Sequence, residues 1–291
     1  MNGQSVHDRL KKLRRTTGKN LQELMVLYSM ERFLYRLSVS DYKDKFVLKG
    51  GALLYSMLEN KARMTRDMDF LANHISNSHE SIAAFVQDIA AISLDDAVTF
   101  DVDSLDVSDI AEDAEYHGVR CSLLAHIGQA EIPIKIDIGF SDDVYPEPAF
   151  MEFPSLLGME PPRLLGYPIE AVIAEKYEAM ISLGMMNSRF KDFYDIVFLS
   201  GIYEIEGAKL QQSLFNVLRQ RGTNLSRTIY TSDFVDEKRK QWQAFKNRIG
   251  NDSDLSFQDI MQHIKKFMLP VHEAIERGQK FSAYWNKASW I

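Results

Sequence analysis

"LKGGALLYSMLENKARMTRDMDF" occupies residues 48–70 and decides how the rest of the chain is read. It runs from an apolar segment into the pair Gly50-Gly51, through a helix-like run, and then into Asp67 and Asp69, which alternate with Met68 and Phe70. In a strand, successive side chains point to opposite faces, so the two carboxylates share one face about 7 Å apart while Met68 and Phe70 enter a core. Like charges held in this way repel each other unless a cation balances them. Oxygen ligands of this kind suit a hard divalent ion.

Outward from that stretch the pattern is mixed α/β. Leu24, Leu27, Met30, Leu34 and Leu37 recur at helical spacing, which predicts helix over residues 5–40. "KFVLKGG" reads as a short buried strand ended by glycine, with a helix leaving it. Strand signals follow at 68–72, 98–107, 117–127 and 131–140, with a helix in "SHESIAAFVQDIAAIS". Six of the eight prolines fall between 146 and 168, so no regular element is expected there. Beyond it the periodicity predicts helices only, at about 169–183, 188–200, 206–221, 233–248 and 256–277. The expected organisation is an N-terminal helical segment (1–45), an α/β core (46–145), a Pro-rich connection (146–168) and a helical C-terminal domain (169–291).

Composition narrows the function classes. A chain of 291 residues with 45% hydrophobic content can bury substantial cores. It shows no leader-like apolar region and no membrane-length apolar run, so a cytoplasmic protein is expected. Cys121 is the lone cysteine and the seven histidines lack paired ligand spacing, which argues against an intramolecular disulfide and a zinc site. The net charge of −7 conceals an uneven distribution. Residues 9–19 carry six basic side chains and no acid, residues 214–248 carry eight bases against three acids, and residues 95–115 carry nine acids and no base.

A third carboxylate, Asp137, stands in "IKIDIGF" between Ile136 and Ile138. Adjacent strands that present Asp67, Asp69 and Asp137 at one sheet edge would form an oxygen-ligand site for Mg²⁺, which keeps water and substrate phosphates as its other ligands. The turn at Gly50 and Gly51 leaves backbone N–H groups at a helix start open to a phosphate. A D-x-D or a glycine pair alone is common in turns; their order along the chain is the stronger signal. In the helical half, Lys176 falls on the apolar face of Ile169, Val172, Ile173, Met180 and Leu183. Arg189, Asp192 and Asp195 share a face of the next helix. Lys176 there either binds a nucleotide phosphate, oriented by an aspartate, or makes an interhelical salt bridge.

"ERFLYRLSVSDYKDKFVLKGGALL", "TRDMDF", "YHGVR", "IKIDIGF", "AEKYEAMISLG" and "SRFKDFYDI" follow one another in a pattern that resembles the AbiEii-like nucleotidyltransferase toxins, a family that includes the mycobacterial MenT toxins. The resemblance covers roughly residues 5–200. It implies an α+β fold, with a polymerase-β-like nucleotidyltransferase mixed sheet, N-terminal helices and a helical C-terminal domain. It implies a glycine motif at Gly50 and Gly51, metal carboxylates at Asp67 and Asp69, and a third carboxylate with its preceding lysine at Asp137 and Lys135. The family's helical lysine matches Lys176 and its last catalytic aspartate Asp192, with Asp195 a competitor for that position. Members are toxins of toxin–antitoxin or phage-exclusion systems that use nucleoside triphosphates, in some cases adding pyrimidine nucleotides to the 3′ end of tRNA.

The function expected is therefore Mg²⁺-dependent transfer of NMP from NTP to an RNA hydroxyl, the tRNA 3′ end in particular, which blocks translation. A cognate antitoxin is expected as partner, and no membrane. Nucleotidylation or phosphorylation of a protein, or nucleotide binding without turnover, are the alternatives.

Overall fold

The computed structural model describes residues 1–58, 65–73, 75–110, 118–140, 144–226, 229–249 and 255–291. Tyr116 and His117 of "YHGVR", the end of the acidic stretch and Arg227 lie outside the described residues. The chain divides into two compact units, Met1–Asp143 with Pro148–Tyr167, and Val144–Glu147 with Pro168–Ile291.

The first unit opens with two helices, α1 (Gly3–Thr17) and α2 (Leu21–Ser38), in place of the single helical stretch that periodicity predicts. The break has a local cause. Gly18 takes a left-handed conformation (φ 71°) and closes α1, and Asn20 with Glu23 forms a capping box that starts α2. Then follow β1 (Phe46–Lys49), α3 (Gly50–Leu58), β2 (Asp67–Ala72), α4 (His79–Ala90), β3 (Val98–Ile110), β4 (Gly118–Ile127), β5 (Ala130–Phe140), β6 (Ala149–Glu152) and β7 (Arg163–Gly166). Among the described residues these strands form one seven-stranded mixed sheet in the order β3-β4-β5-β2-β1-β7-β6. β2 pairs with β5 and β1 with β7 in parallel; the remaining pairs are antiparallel.

β6 and β7 correct the expectation that the Pro-rich stretch holds no regular element. Pro148 and Pro154 stand on either side of β6, and Pro162 and Pro168 on either side of β7, so no paired residue of either strand is a proline. Four-residue strands at one side of a sheet fit between such breakers.

Strand alternation sets the core. Met68 and Phe70 of β2, Ile132, Ile134, Ile136 and Ile138 of β5, and Val119, Cys121 and Leu123 of β4 are buried. Helix α2 packs on β5 and β7. Its Arg32 and Arg36 are buried with Asp96, Arg36 Nη1 donating to Oδ2 at 2.7 Å and Arg32 Nε to the same oxygen at 2.9 Å.

The second unit contains α5 (Ile169–Leu183), a 3₁₀ turn at Gly184–Met186, α6 (Phe190–Ile202), β8 (Ile205–Glu206), α7 (Gly207–Gln220), α8 (Ser232–Ile249), α9 (Phe257–Glu276) and β9 (Tyr284–Trp285). The short β8–β9 pair departs from the all-helical expectation; it forms where the C-terminal tail returns and buries Trp285, whose Nε1 donates to Ser200 O at 2.7 Å. No described helix is long and apolar enough to cross a membrane.

One half-buried group of this unit is expected to make stability pH-dependent. Burial, helped by Lys266, lowers the pKa of His263, whose Nε2 lies 2.8 Å from Ser200 Oγ. A histidine lowered on folding contributes stability that is present above its unfolded value and lost as pH falls through the folded one. Unfolding midpoints measured in urea from about pH 7 down to about pH 5 should therefore fall, and fall less in His263→Gln.

Candidate active site

The register of four strands places the sequence-predicted carboxylates. Asp69 of β2 is paired across the parallel ladder with Asp137 of β5, and Asp67 with Lys135. On the other side of β2, Lys49 of β1 is opposite Asp69, and beyond β5, Arg120 of β4 is opposite Asp137. Residues in register share a face, and neighbouring strands lie about 4.8 Å apart. Lys49, Asp69, Asp137 and Arg120 thus form one line across the sheet with charges in the order plus, minus, minus, plus. The opposite face carries the buried Met68, Phe70, Ile136 and Ile138.

Two details show how this line is held. Gly50 has φ +62°, and a Cβ built on it would collide with Asp69 Oδ2. The Gly51 N–H, at the start of α3, donates to that same oxygen at 3.3 Å. The glycine pair therefore accommodates the Asp69 carboxylate, and the N–H that the sequence pattern offers to a phosphate contacts Asp69 in this structure. Asp137 is gripped from the other side, with Arg120 Nε donating to Oδ1 at 2.8 Å and Nη2 to Oδ2 at 2.7 Å.

Arg120 is the residue that sequence reasoning missed. It lies inside a quoted motif, but its relation to Asp137 depends on the β4–β5 register, which no local pattern states. Its charge, with that of Lys49, answers the repulsion between Asp69 and Asp137 that the sequence raises. Among the described residues no group of three His, Cys, Asp or Glu side chains stands arranged to hold a metal ion.

In the helical unit the structure brings together Lys176 of α5 and both candidate aspartates of α6. Lys176 Nζ donates to Asp192 Oδ1 at 2.6 Å and to Asp195 Oδ2 at 2.8 Å. Burial works to lower the lysine pKa, but Asp195 and Asp192 outweigh it and raise it, so Lys176 is charged. The interhelical salt bridge, one of the two roles the sequence leaves open, is present with two acceptors.

The profile of the AbiEii nucleotidyl transferase toxins of type IV toxin–antitoxin systems matches residues 32–263. The chain belongs to the AbiEii family. Two solved structures share the fold. JHP933 from Helicobacter pylori is 16% identical with a TM-score of 0.52, covering 88% of this chain and 94% of its own. A "putative nucleotidyltransferase from H. pylori" is 14% identical with a TM-score of 0.50, covering 90% of this chain and all of its own. Comparison with curated proteins gives no match.

As an AbiEii toxin the protein is a nucleotidyl-transfer enzyme, and membership implies an NTP substrate and an antitoxin. Enzymes of this kind typically use a divalent metal. The donor chemistry suits one, since Asp69 and Asp137 are neighbours on one face, Asp67 shares it two residues away and all offer hard oxygen ligands, although these three are not drawn together as a ligand group in this structure. The fit depends on the glycine. Gly50→Ala combines a left-handed backbone, costing about 1–2 kcal/mol for a residue with a Cβ, with displacement of the Asp69 carboxylate. We expect transfer to fall about a hundredfold, as misplacement by about 1 Å can do, while the far-ultraviolet circular dichroism stays unchanged. Wild-type transfer rates in Gly50→Ala would show that the position of Asp69 is immaterial.

Proposed function

We propose that this AbiEii protein is a Mg²⁺-dependent nucleotidyltransferase that moves NMP from NTP onto an RNA hydroxyl, the tRNA 3′ end, and thereby blocks translation. The observation that carries the reading is the register pair Asp69–Asp137 with Asp67 on the same face. Asp67 and Asp69 hold the metal. Bound there, Mg²⁺ supplies charge for the triphosphate and lowers the barrier to its cleavage. Asp137 completes the site or accepts the proton of the attacking hydroxyl, whose oxygen bonds to the α-phosphorus as the bond to the β-phosphate oxygen breaks and pyrophosphate leaves. Lys176 contacts phosphate, Asp192 orients it, and Lys135, exposed beside Asp67 in the register, adds positive charge for the nucleotide.

An RNA acceptor is supported by α1, on which Arg9, Lys11, Lys12, Arg14 and Arg15 are not buried and only Val6 and Leu10 are. Such a face binds phosphates through sequence-independent charge. The second basic segment supports it less. Lys238 and Lys246 are buried and Arg221 pairs with Glu178.

Incubation with each NTP, α-labelled or γ-labelled in parallel, with Mg²⁺ and total RNA or protein extract tests the proposal. Label at RNA 3′ ends, removed by exonuclease, supports it. Label in protein, label only from γ-labelled NTP, or nucleotide binding with no pyrophosphate released would replace it by protein nucleotidylation, phosphoryl transfer or a binding module respectively.

A further inference from the structure

We propose that Arg120 is a positioning residue whose guanidinium acts as an internal counter-ion, occupying Asp137 when no divalent cation is bound and competing with that cation for it. The inference rests on the metal-site reading above and adds to it a group that sets how readily the metal is taken up.

The geometry is specific. Arg120 and Asp137 are directly opposite on adjacent antiparallel strands, and the fork of Nε and Nη2 meets both carboxylate oxygens at 2.8 and 2.7 Å. A guanidinium presents donors at a spacing that matches a carboxylate, which an ammonium does not. The pair is not sealed in the core, since the side chain of Arg120 is 36% exposed and that of Asp137 16% exposed. The guanidinium therefore has solvent into which to withdraw, and a cation has a path to the carboxylate.

Charge gives the pair its purpose. With Lys49 and Arg120 at the ends and Asp69 and Asp137 between them, the line is neutral. Removing Arg120 leaves a net negative charge beside Asp69, which disfavours the empty site and favours a bound dication. A divalent ion approaching Asp137 meets the opposite situation, a fixed positive charge already bonded to both oxygens. Metal uptake must loosen this pair. The same exchange explains how two adjacent carboxylates persist in a folded sheet before any metal arrives.

Two measurements on the whole protein without nucleotide separate this role from a merely structural one. Mn²⁺ alone, followed by electron paramagnetic resonance of the free ion, gives metal affinity. Thermal unfolding in EDTA gives the stability of the empty site. Arg120→Gln should bind Mn²⁺ about tenfold more tightly than wild type, which corresponds to about 1.4 kcal/mol of relieved competition, and should melt at a lower temperature in EDTA. Arg120→Lys, keeping the charge but losing the fork, should fall between them in affinity and remain testable if the glutamine variant does not fold.

A structural role alone lowers the melting temperature without raising metal affinity, so unchanged or weaker Mn²⁺ binding in the two variants overturns the inference. Asp137→Asn serves as the control for the underlying reading. If wild type and Asp137→Asn bind Mn²⁺ alike, the metal site itself is wrongly placed and the inference falls with it. If Asp137→Asn loses binding while the Arg120 variants gain none, only the role of Arg120 is refuted.

Discussion

Asp69→Asn lowers nucleotidyl transfer by roughly a hundred- to a thousandfold, the range seen when one electrostatic group is removed from a preorganised site, and leaves the fold intact. The asparagine amide is nearly isosteric, and its carbonyl oxygen still accepts the Gly51 N–H that Asp69 Oδ2 accepts at 3.3 Å. What disappears is the negative charge next to Asp137 in the register. That charge repels Asp137 and attracts Lys49 across the register, so the two losses offset and the unfolding free energy should stay within about 0.5 kcal/mol of wild type. Incorporation of α-labelled NMP, measured at saturating Mg²⁺ with a urea melt of the same preparation, checks both halves. A variant that transfers label at the wild-type rate removes Asp69 from the mechanism.

Lys176→Ala produces a different kind of loss. The lysine is the cation between Asp192 and Asp195, whose side chains are 8% and 2% exposed. Deleting it leaves two buried carboxylates beside each other, and breaking a buried pair by removing one partner costs about 3–5 kcal/mol. Loss of activity in this variant is therefore inseparable from loss of the helical unit's stability, and a urea melt should show a midpoint well below wild type. Asp192→Asn is the cleaner probe, because the Lys176–Asp195 bond at 2.8 Å remains. It should fold and lose transfer, while Asp195→Asn should lose more stability than Asp192→Asn. Full stability in Lys176→Ala would contradict the ion-pair account, and full activity in Asp192→Asn would contradict the role given to that carboxylate.

The parts of the fold that local pattern controls are legible in the sequence. Alternation in "RDMDF" and "IKIDIGF" places Met68, Phe70, Ile136 and Ile138 in the core, and all are fully buried. The Asn20–Glu23 capping box that divides the first helical stretch also stands in the text, but the apolar periodicity runs through it and reads 5–40 as one helical stretch. β6 and β7 are hidden for a physical reason. Four residues between prolines carry too little alternation to register as strands, and their stability comes from pairing with each other and with β1. Arg120 is hidden likewise, because its partner lies seventeen residues away across a strand register. The glycine pair stands out in the text as a phosphate site, whereas a Cβ at Gly50 would collide with Asp69. Register, which is non-local, decides the three hidden outcomes: β6 with β7, Arg120, and the contact of Gly50 with Asp69.

Under the proposed mechanism Asp67 and Asp69 would hold a divalent cation, with Asp137 beside Asp69 on the adjacent strand completing its ligand set or accepting the proton. Anomalous scattering from crystals grown with Mn²⁺ and a non-hydrolysable NTP tests this most directly. The expected result is a peak about 2.0–2.2 Å from carboxylate oxygens of Asp67 and Asp69, the spacing of a hard cation with oxygen ligands, and, where Asp137 joins the ligand set, within the same distance of its carboxylate with Arg120 drawn away. A peak ligated by neither Asp67 nor Asp69, or nucleotide bound with its phosphates away from this face of the sheet, would contradict it.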